Sequence, residues 1–232
     1  MSTFHDADNP QEVVVEQYIN TQTARQPSSE KNLRFIFTRY LDFNATATLY
    51  FLLNQQKFLP YFQKEETAHK AKQIISRAAQ KAGYQNDTLF FKNMQKLIAT
   101  SLPDTSNFSA LARINFLGGQ QNWLCYAEET LTYATNQTEA DWMTLNETAT
   151  YSNYFSKENE VLQTGAEIMA RAVEIEKSYD NLLLFAQLLT KAGNDAAAMQ
   201  AATEAVTVAT QTGEDSRLAA TFIRKLKKNQ QH

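Results

Sequence analysis

Only four prolines and six glycines punctuate the 232 residues of this chain, and their positions constrain its fold more than any other feature. Proline lacks a backbone N–H and is tolerated at the start of a helix but not inside one, so it marks boundaries. Pro10, Pro27, Pro60 and Pro103 each lie at the edge of a run whose apolar residues recur at three- and four-residue spacing. Gly83, Gly193 and Gly213 follow such runs, where a left-handed C-cap is expected. An all-β chain would need many more turn residues, and a disordered one fewer apolar residues than the 43% found here. The expected class is all-α.

The apolar spacing predicts a first helix after Asn9-Pro10 carrying Val13, Val14, Tyr18 and Ile19. Ser28 or Ser29 caps a second, with Leu33, Phe35, Ile36, Phe37, Tyr40 and Leu41. A third runs through Leu49, Phe51, Leu52, Leu53 and Phe58 and stops near Pro60. A fourth spans about 65–82, with Ala71, Ile74, Ile75 and Ala78 facing inward. A fifth begins near Asp87 and carries Leu89, Phe90, Met94, Leu97 and Ile98. From residue 104 the pattern is more regular, with helices near 105–117, 121–135, 139–155, 159–176, 180–192, 195–211 and 215–228. Thr138-Glu139-Ala140-Asp141 reads as a capping-box variant before one of them. Residues 1–9 thus read as a flexible N-terminus, 10–103 as an aromatic-rich helical half, and 104–232 as a hairpin half, joined in one continuous domain.

An internal period runs through the second half. Phe108, Leu145 and Leu182 are 37 residues apart, as are Ala112, Ala149 and Ala186; Gly119 precedes Gly193 by 74. Gly165 and Ala172 match Ala198 and Ala205 at a separation of 33. Large then small residues on successive first helices are the pattern of stacked helical hairpins. A final capping helix is expected through Leu218, Phe222 and Leu226, with Lys225, Lys227 and Lys228 in its last turns, where the helix dipole favours cations.

Leu182, Ala186 and Leu189, Gly193 at the turn, then Ala198, Ala202 and Ala205 resemble the large–small–large, glycine, small–small–small positions of a tetratricopeptide repeat. The middle unit departs from that pattern, with Ser156 where the glycine belongs. The resemblance implies a right-handed stack of antiparallel helical hairpins, an α-α superhelix. Most of residues 10–228 also resemble the helical region that follows a thioredoxin-like domain in some bacterial thiol-disulfide proteins. That likeness is carried by Asn32-Leu33-Arg34-Phe35-Ile36-Phe37, by residues 50–58 (Tyr50 to Phe58), by Ala71-Lys72-Gln73-Ile74-Ile75, and by the alanine-rich hairpin. It implies an accessory domain of a thioredoxin-like oxidoreductase. The redox motif itself finds no match here, because Cys125 is the only cysteine.

Several chemistries lack their residues. One cysteine excludes an intrachain disulfide, a CxxC pair and a cysteine-rich zinc site. Cys125 has no histidine near it in sequence to hold a thiolate and reads as a small buried hydrophobe. The adjacent acidic pairs Glu65-Glu66, Glu128-Glu129 and Glu214-Asp215 point about 100° apart on a helix and do not converge. No phosphate loop, GxSxG or HExxH is present. Neither a catalytic residue nor a cofactor or metal is therefore assigned, and a non-enzymatic role is expected.

The net charge of −3 divides unevenly: +3 over residues 1–118 and −6 over 119–232. Lys57 to Lys96 holds eight basic against three acidic residues, without a nucleic-acid motif, so no nucleic-acid partner is expected. The longest strongly apolar run, residues 48–53, is far too short for a membrane span. Met1 precedes neither a basic nor an apolar signal segment, so no signal peptide is read in the chain as given. The thioredoxin-linked resemblance would imply export to a periplasm, and without it the cytoplasm is expected.

What remains is a surface. The first helices of stacked hairpins line the concave side, where peptides dock in repeat arrays. The tetratricopeptide groove positions fall on Ser109, Arg113, Asn146, Thr150, Asn153, Gln187 and Thr190. This stripe is polar and almost uncharged, suited to hydrogen-bonding an extended peptide backbone and not to clamping a C-terminal carboxylate. The expected function is a non-catalytic interaction or scaffold module with a protein or peptide partner.

Overall fold

The computed structural model describes residues 28–38, 42–136 and 142–229. Among them are eleven α-helices and no strand, as the distribution of prolines and glycines predicts. The chain divides into two compact units, residues 1–120 and 121–232. The predicted helix around Val13 and the capping box at Thr138–Asp141 lie outside the described residues.

The first unit contains α1 (Glu30–Thr38), α2 (Thr46–Leu53), a 3-10 turn (Gln55–Lys57), α3 (Lys64–Tyr84), α4 (Thr88–Ser101) and α5 (Thr105–Gly119). Its starts follow local chemistry. Glu66 accepts from the Gln63 backbone N–H at 3.0 Å, and the Asp87 carboxylate accepts from the Phe90 N–H at 2.9 Å. The expected single helix through Phe58 breaks at Asn54, whose amide donates to the Tyr50 carbonyl at 2.9 Å. The core is aromatic and aliphatic: Leu33, Ile36, Phe51, Leu52, Phe58, Ile75, Met94 and Ile98 are each at most 2% exposed. Fully burying a side chain of this kind contributes roughly 1.5–3 kcal/mol. Phe51 meets Phe58 edge-on at 5.0 Å, and Phe91 stacks on Phe116 at 4.0 Å. Leu89, expected on the apolar stripe of α4, is 69% exposed in the first turn.

Gly83 is not the left-handed cap that its position suggests. It lies inside α3, buried, where a Cβ would come within 2.0 Å of the Phe116 carbonyl oxygen of α5. Gly119 is the reciprocal contact: a Cβ there would meet the Gln80 carbonyl oxygen at 2.1 Å. Two glycines thus let the backbones of α3 and α5 touch. That contact places α5, read in the sequence as the first helix of the regular half, within the first unit. The left-handed residue after α3 is Asn86, at φ 53°.

The second unit contains α6 (Trp123–Asn136), α7 (Trp142–Phe155), α8 (Asn159–Ile175), α9 (Tyr179–Lys191), α10 (Asp195–Thr212) and α11 (Arg217–Asn229). Each helix packs on the next, α6 also meets α8, and α7 also meets α9, which is a stack of helical hairpins in sequence order. The 37-residue spacing has a physical basis here. Leu145 and Leu182 are at most 1% exposed, and Ala149 and Ala186 are fully buried at equivalent points of α7 and α9. Ala198, Ala202, Ala205 and Ala209 bury the inner face of α10. Gly193 and Gly213 take the expected left-handed conformation at φ 83° and 78°, so Gly193 turns the chain whereas Gly119 opens a helix crossing. On α11, Ala219 and Leu226 are buried and Phe222 packs into the cluster that holds Ala219, while Leu218, expected inward, is 70% exposed.

Candidate interaction surface

Five of the seven stripe residues fall within the second unit, on α7 and α9, which pack against each other. Asn146, Thr150 and Asn153 recur at four and three residues on one face of α7, as helical geometry requires. Gln187 and Thr190 occupy the corresponding face of α9. Ser109 and Arg113 belong to the first unit, on α5. There the Ser109 carbonyl accepts from the Gln95 amide at 3.2 Å, and Arg113 is exposed and already engaged in an interaction of its own.

The α7 and α9 residues form two amide bridges. Asn146 donates to the Asn181 side-chain oxygen at 2.7 Å, and Asn181 in turn donates to the Glu176 carbonyl at 2.7 Å. Thr150 donates to the Asn146 side-chain oxygen at 3.4 Å. Two turns further along, Asn153 donates to the Gln187 side-chain oxygen at 3.1 Å. Lys191 donates to the Asn153 backbone carbonyl, and the Thr190 hydroxyl turns back to the Ala186 carbonyl at 3.1 Å.

Hydrogen-bond capacity is left over at the second bridge. Asn153 is 3% exposed, and its side-chain oxygen has no donor. A buried acceptor left unmade costs about 1–3 kcal/mol, so such an atom calls for an explanation. The Gln187 side chain uses its oxygen toward Asn153, which leaves its NH2 facing a half-buried position. An unfilled acceptor beside a spare donor matches the C=O and N–H of one peptide unit.

Asn181 and Lys191 were not singled out in the sequence. Asn181 is fully buried and ties α9 to both α7 and the preceding turn. Its signal was available, because it lies 35 residues after Asn146 and three after the Ser178 cap.

Beside the stripe, α6 and α7 share a buried hydroxyl chain. Thr148 donates to the Tyr126 hydroxyl at 3.1 Å, and Thr130 donates to Thr148 at 3.4 Å. Burial holds the Tyr126 phenol well above its ordinary pKa near 10, against the opposing pull of the Thr148 hydrogen bond. Trp123, Tyr151 and Phe155 form a stacked layer with centroids 5.6 to 5.9 Å apart. Cys125, expected to be buried, is half-buried and free.

In the first unit, a shallow cavity of about 240 Å³ is lined by Asp42, Asn44, Arg77, Lys81, Asp87 and Phe90, among others. Both its carboxylates serve local turns: Asp42 accepts from the Asn44 N–H, and Asp87 caps α4. Among the described residues, no cluster of His, Cys, Asp and Glu is arranged to hold a metal ion, and no helix is long and apolar enough to cross a membrane. Compared with protein families, curated proteins and solved structures, the chain matches none.

Proposed function

We propose that this chain is a non-catalytic, tetratricopeptide-like interaction module whose partner is an extended peptide segment laid along α7 and α9. The observation that carries this reading is the buried Asn153 oxygen without a donor, beside the spare NH2 of Gln187. A partner backbone N–H would satisfy the first and its carbonyl the second. Two turns away the half-buried Asn146, bonded to Asn181 through one N–H, lies on the same face of α7 with its second N–H to offer, which suits a strand-like ligand. Neither Lys nor Arg is among the five stripe residues of the second unit, and the one lysine beside them, Lys191, is bonded to the Asn153 carbonyl, so sequence-tolerant backbone recognition fits better than capture of a terminal carboxylate by a cluster of cations. Gln187 and Lys191 lie over Asn153 and would swing aside on binding.

A random-peptide display library selected on the full chain tests the reading. The proposal expects an enriched set of peptides that loses binding to the Asn146→Ala/Asn153→Ala/Gln187→Ala variant while that variant keeps its helical circular dichroism and melting transition. Failure to enrich any peptide, or enriched peptides that bind the folded variant equally well, would remove this surface from consideration.

A further inference from the structure

Charge is segregated within the second unit far more sharply than the whole-chain value suggests. Residues 121–216 hold four basic and fifteen acidic side chains, whereas α11, residues 217–229, holds five basic and none acidic. Arg217 pairs with Asp215 at 2.6 Å. The other four, Arg224, Lys225, Lys227 and Lys228, are exposed, and among the described residues none is in an ion pair. The apolar side of α11 is already used: Ala219 and Leu226 are buried against the preceding helices, and the Ala219 N–H donates to the Tyr179 hydroxyl at 3.3 Å. What α11 presents to solvent is therefore an unneutralised cationic face on a strongly acidic body.

The matching surface is on α8. Glu158, Glu160 and Glu167 are exposed, and among the described residues none pairs with a cation. Glu160 and Glu167 are seven residues apart, two turns along one side of the helix. The dipole at the start of α8 explains Glu158 and Glu160, but Glu167 is mid-helix, beyond its reach. Within the chain α8 packs mainly on α6, α7 and α9, and α11 on α10 with a hydrogen bond to Tyr179 of α9; among the described residues no ion pair joins the two faces, which leaves them to meet between molecules.

We propose that α11 is the cationic half of a head-to-tail contact between two copies of this chain, with the outer face of α8 as the acidic half. An anionic membrane is the weaker occupant. Beyond the exposed Leu218 and the half-buried Phe222 and Ile223, α11 has no large apolar residue left to insert, and the acidic remainder of the unit would be repelled by such a surface. A helix of 13 residues is roughly 20 Å long, and one face of it buries less than the roughly 800 Å² per partner of a standard interface. The contact is thus weak and salt-sensitive, and being heterologous it can extend beyond dimers.

Sedimentation velocity on the full chain at about 20 mM and about 300 mM salt, bracketing the screening range, reads this directly. The expected result is concentration-dependent association at low salt that disappears at high salt. Either Lys225→Glu/Lys227→Glu/Lys228→Glu or Glu160→Lys/Glu167→Lys alone abolishes it, and mixing the two variants restores a hetero-association. Circular dichroism confirms that each remains helical, and a Lys225→Gln/Lys227→Gln/Lys228→Gln version weakens association without reversing charge. A monomer at every salt concentration, or association indifferent to both charge reversals, overturns the proposal. So does α11-dependent co-sedimentation with phosphatidylserine vesicles by a chain that does not self-associate, which would assign the face to a lipid surface.

Discussion

In the first unit α3 and α5 approach until backbone meets backbone at Gly83 and Gly119, whereas in the second the helices are spaced by buried alanine methyls at Ala149, Ala186, Ala198, Ala202, Ala205 and Ala209. Glycine at a crossing gives the shortest separation but tolerates no added atom. Alanine gives a slightly wider, repeatable spacing that can be copied from hairpin to hairpin. The second unit carries most of the periodic positions and is built mainly on alanine, whereas the first, which holds the period's opening residues Phe108 and Ala112 on α5, adds a glycine crossing and a core of interlocked aromatics. Repetition also sets polar residues of one type at one level, which is how α7 and α9 come to face each other with amides.

The largest expected effect breaks the first half of this contrast. Gly119→Ala drives a methyl to 2.1 Å from the Gln80 carbonyl oxygen, where no side chain can yield. The expected loss is about 3 kcal/mol or more in denaturant unfolding, beyond the usual range for an added methylene. A loss under about 1 kcal/mol would mean that α3 and α5 separate cheaply.

Next comes the alanine spacing. Ala186→Leu at a fully buried position of α9 is expected to cost about 2 kcal/mol, because the hairpin stack can open by adjustment along its length. A cost as large as that of Gly119→Ala would erase the distinction between the two packing modes.

The left-handed turn at Gly193 is expected to matter less. Its φ is 83° with nothing within 4 Å of an added Cβ, so Gly193→Ala should cost about 1–2 kcal/mol from backbone strain alone. The double variant with Ala186→Leu should be close to additive if the turn and the core position act independently.

The smallest effect is a titration. Of the chain's ten tyrosines, Tyr126 is held protonated by burial. Its folded pKa lies above the unfolded value, so its contribution to stability is complete below about pH 10 and is lost as pH rises above that. Phenolate absorbance compared between the native chain and Tyr126→Phe should show that the Tyr126 phenol ionises only together with unfolding. The Tyr126→Phe variant should lack that late step and lose less stability in the alkaline range.

Elements whose ends rest on local chemistry were legible in the sequence: a helix opens at Asp87, which caps α4, and Gly193 and Gly213 close helices. Gly83 was misleading because a glycine near a helix end serves either a left-handed cap or a close approach. Only the distant Phe116 carbonyl decides between them. Of the left-handed residues that are not glycine, Asn86 carried a weak signal, since asparagine favours that region, whereas Gln121 carried none. The division after Gln120 was equally hidden, since it depends on which partner α5 finds and not on its own composition. The stripe was legible as residues but not as bonds. Sequence placed Asn153 and Gln187 on facing helices, but that the pair leaves a buried oxygen without a donor is a matter of ångströms.

The most direct test of the interaction reading follows the side-chain amide resonances of Asn146, Asn153, Asn181 and Gln187 by NMR while a peptide selected on the full chain is titrated in. The account predicts that the Asn153 and Gln187 amide signals shift first and furthest, with a smaller change at Asn146 and Asn181, and that Asn153→Leu leaves a folded chain that no longer binds. Shifts confined to the aromatic layer at Trp123, Tyr151 and Phe155 or to α11, with the four amides unmoved, would contradict it.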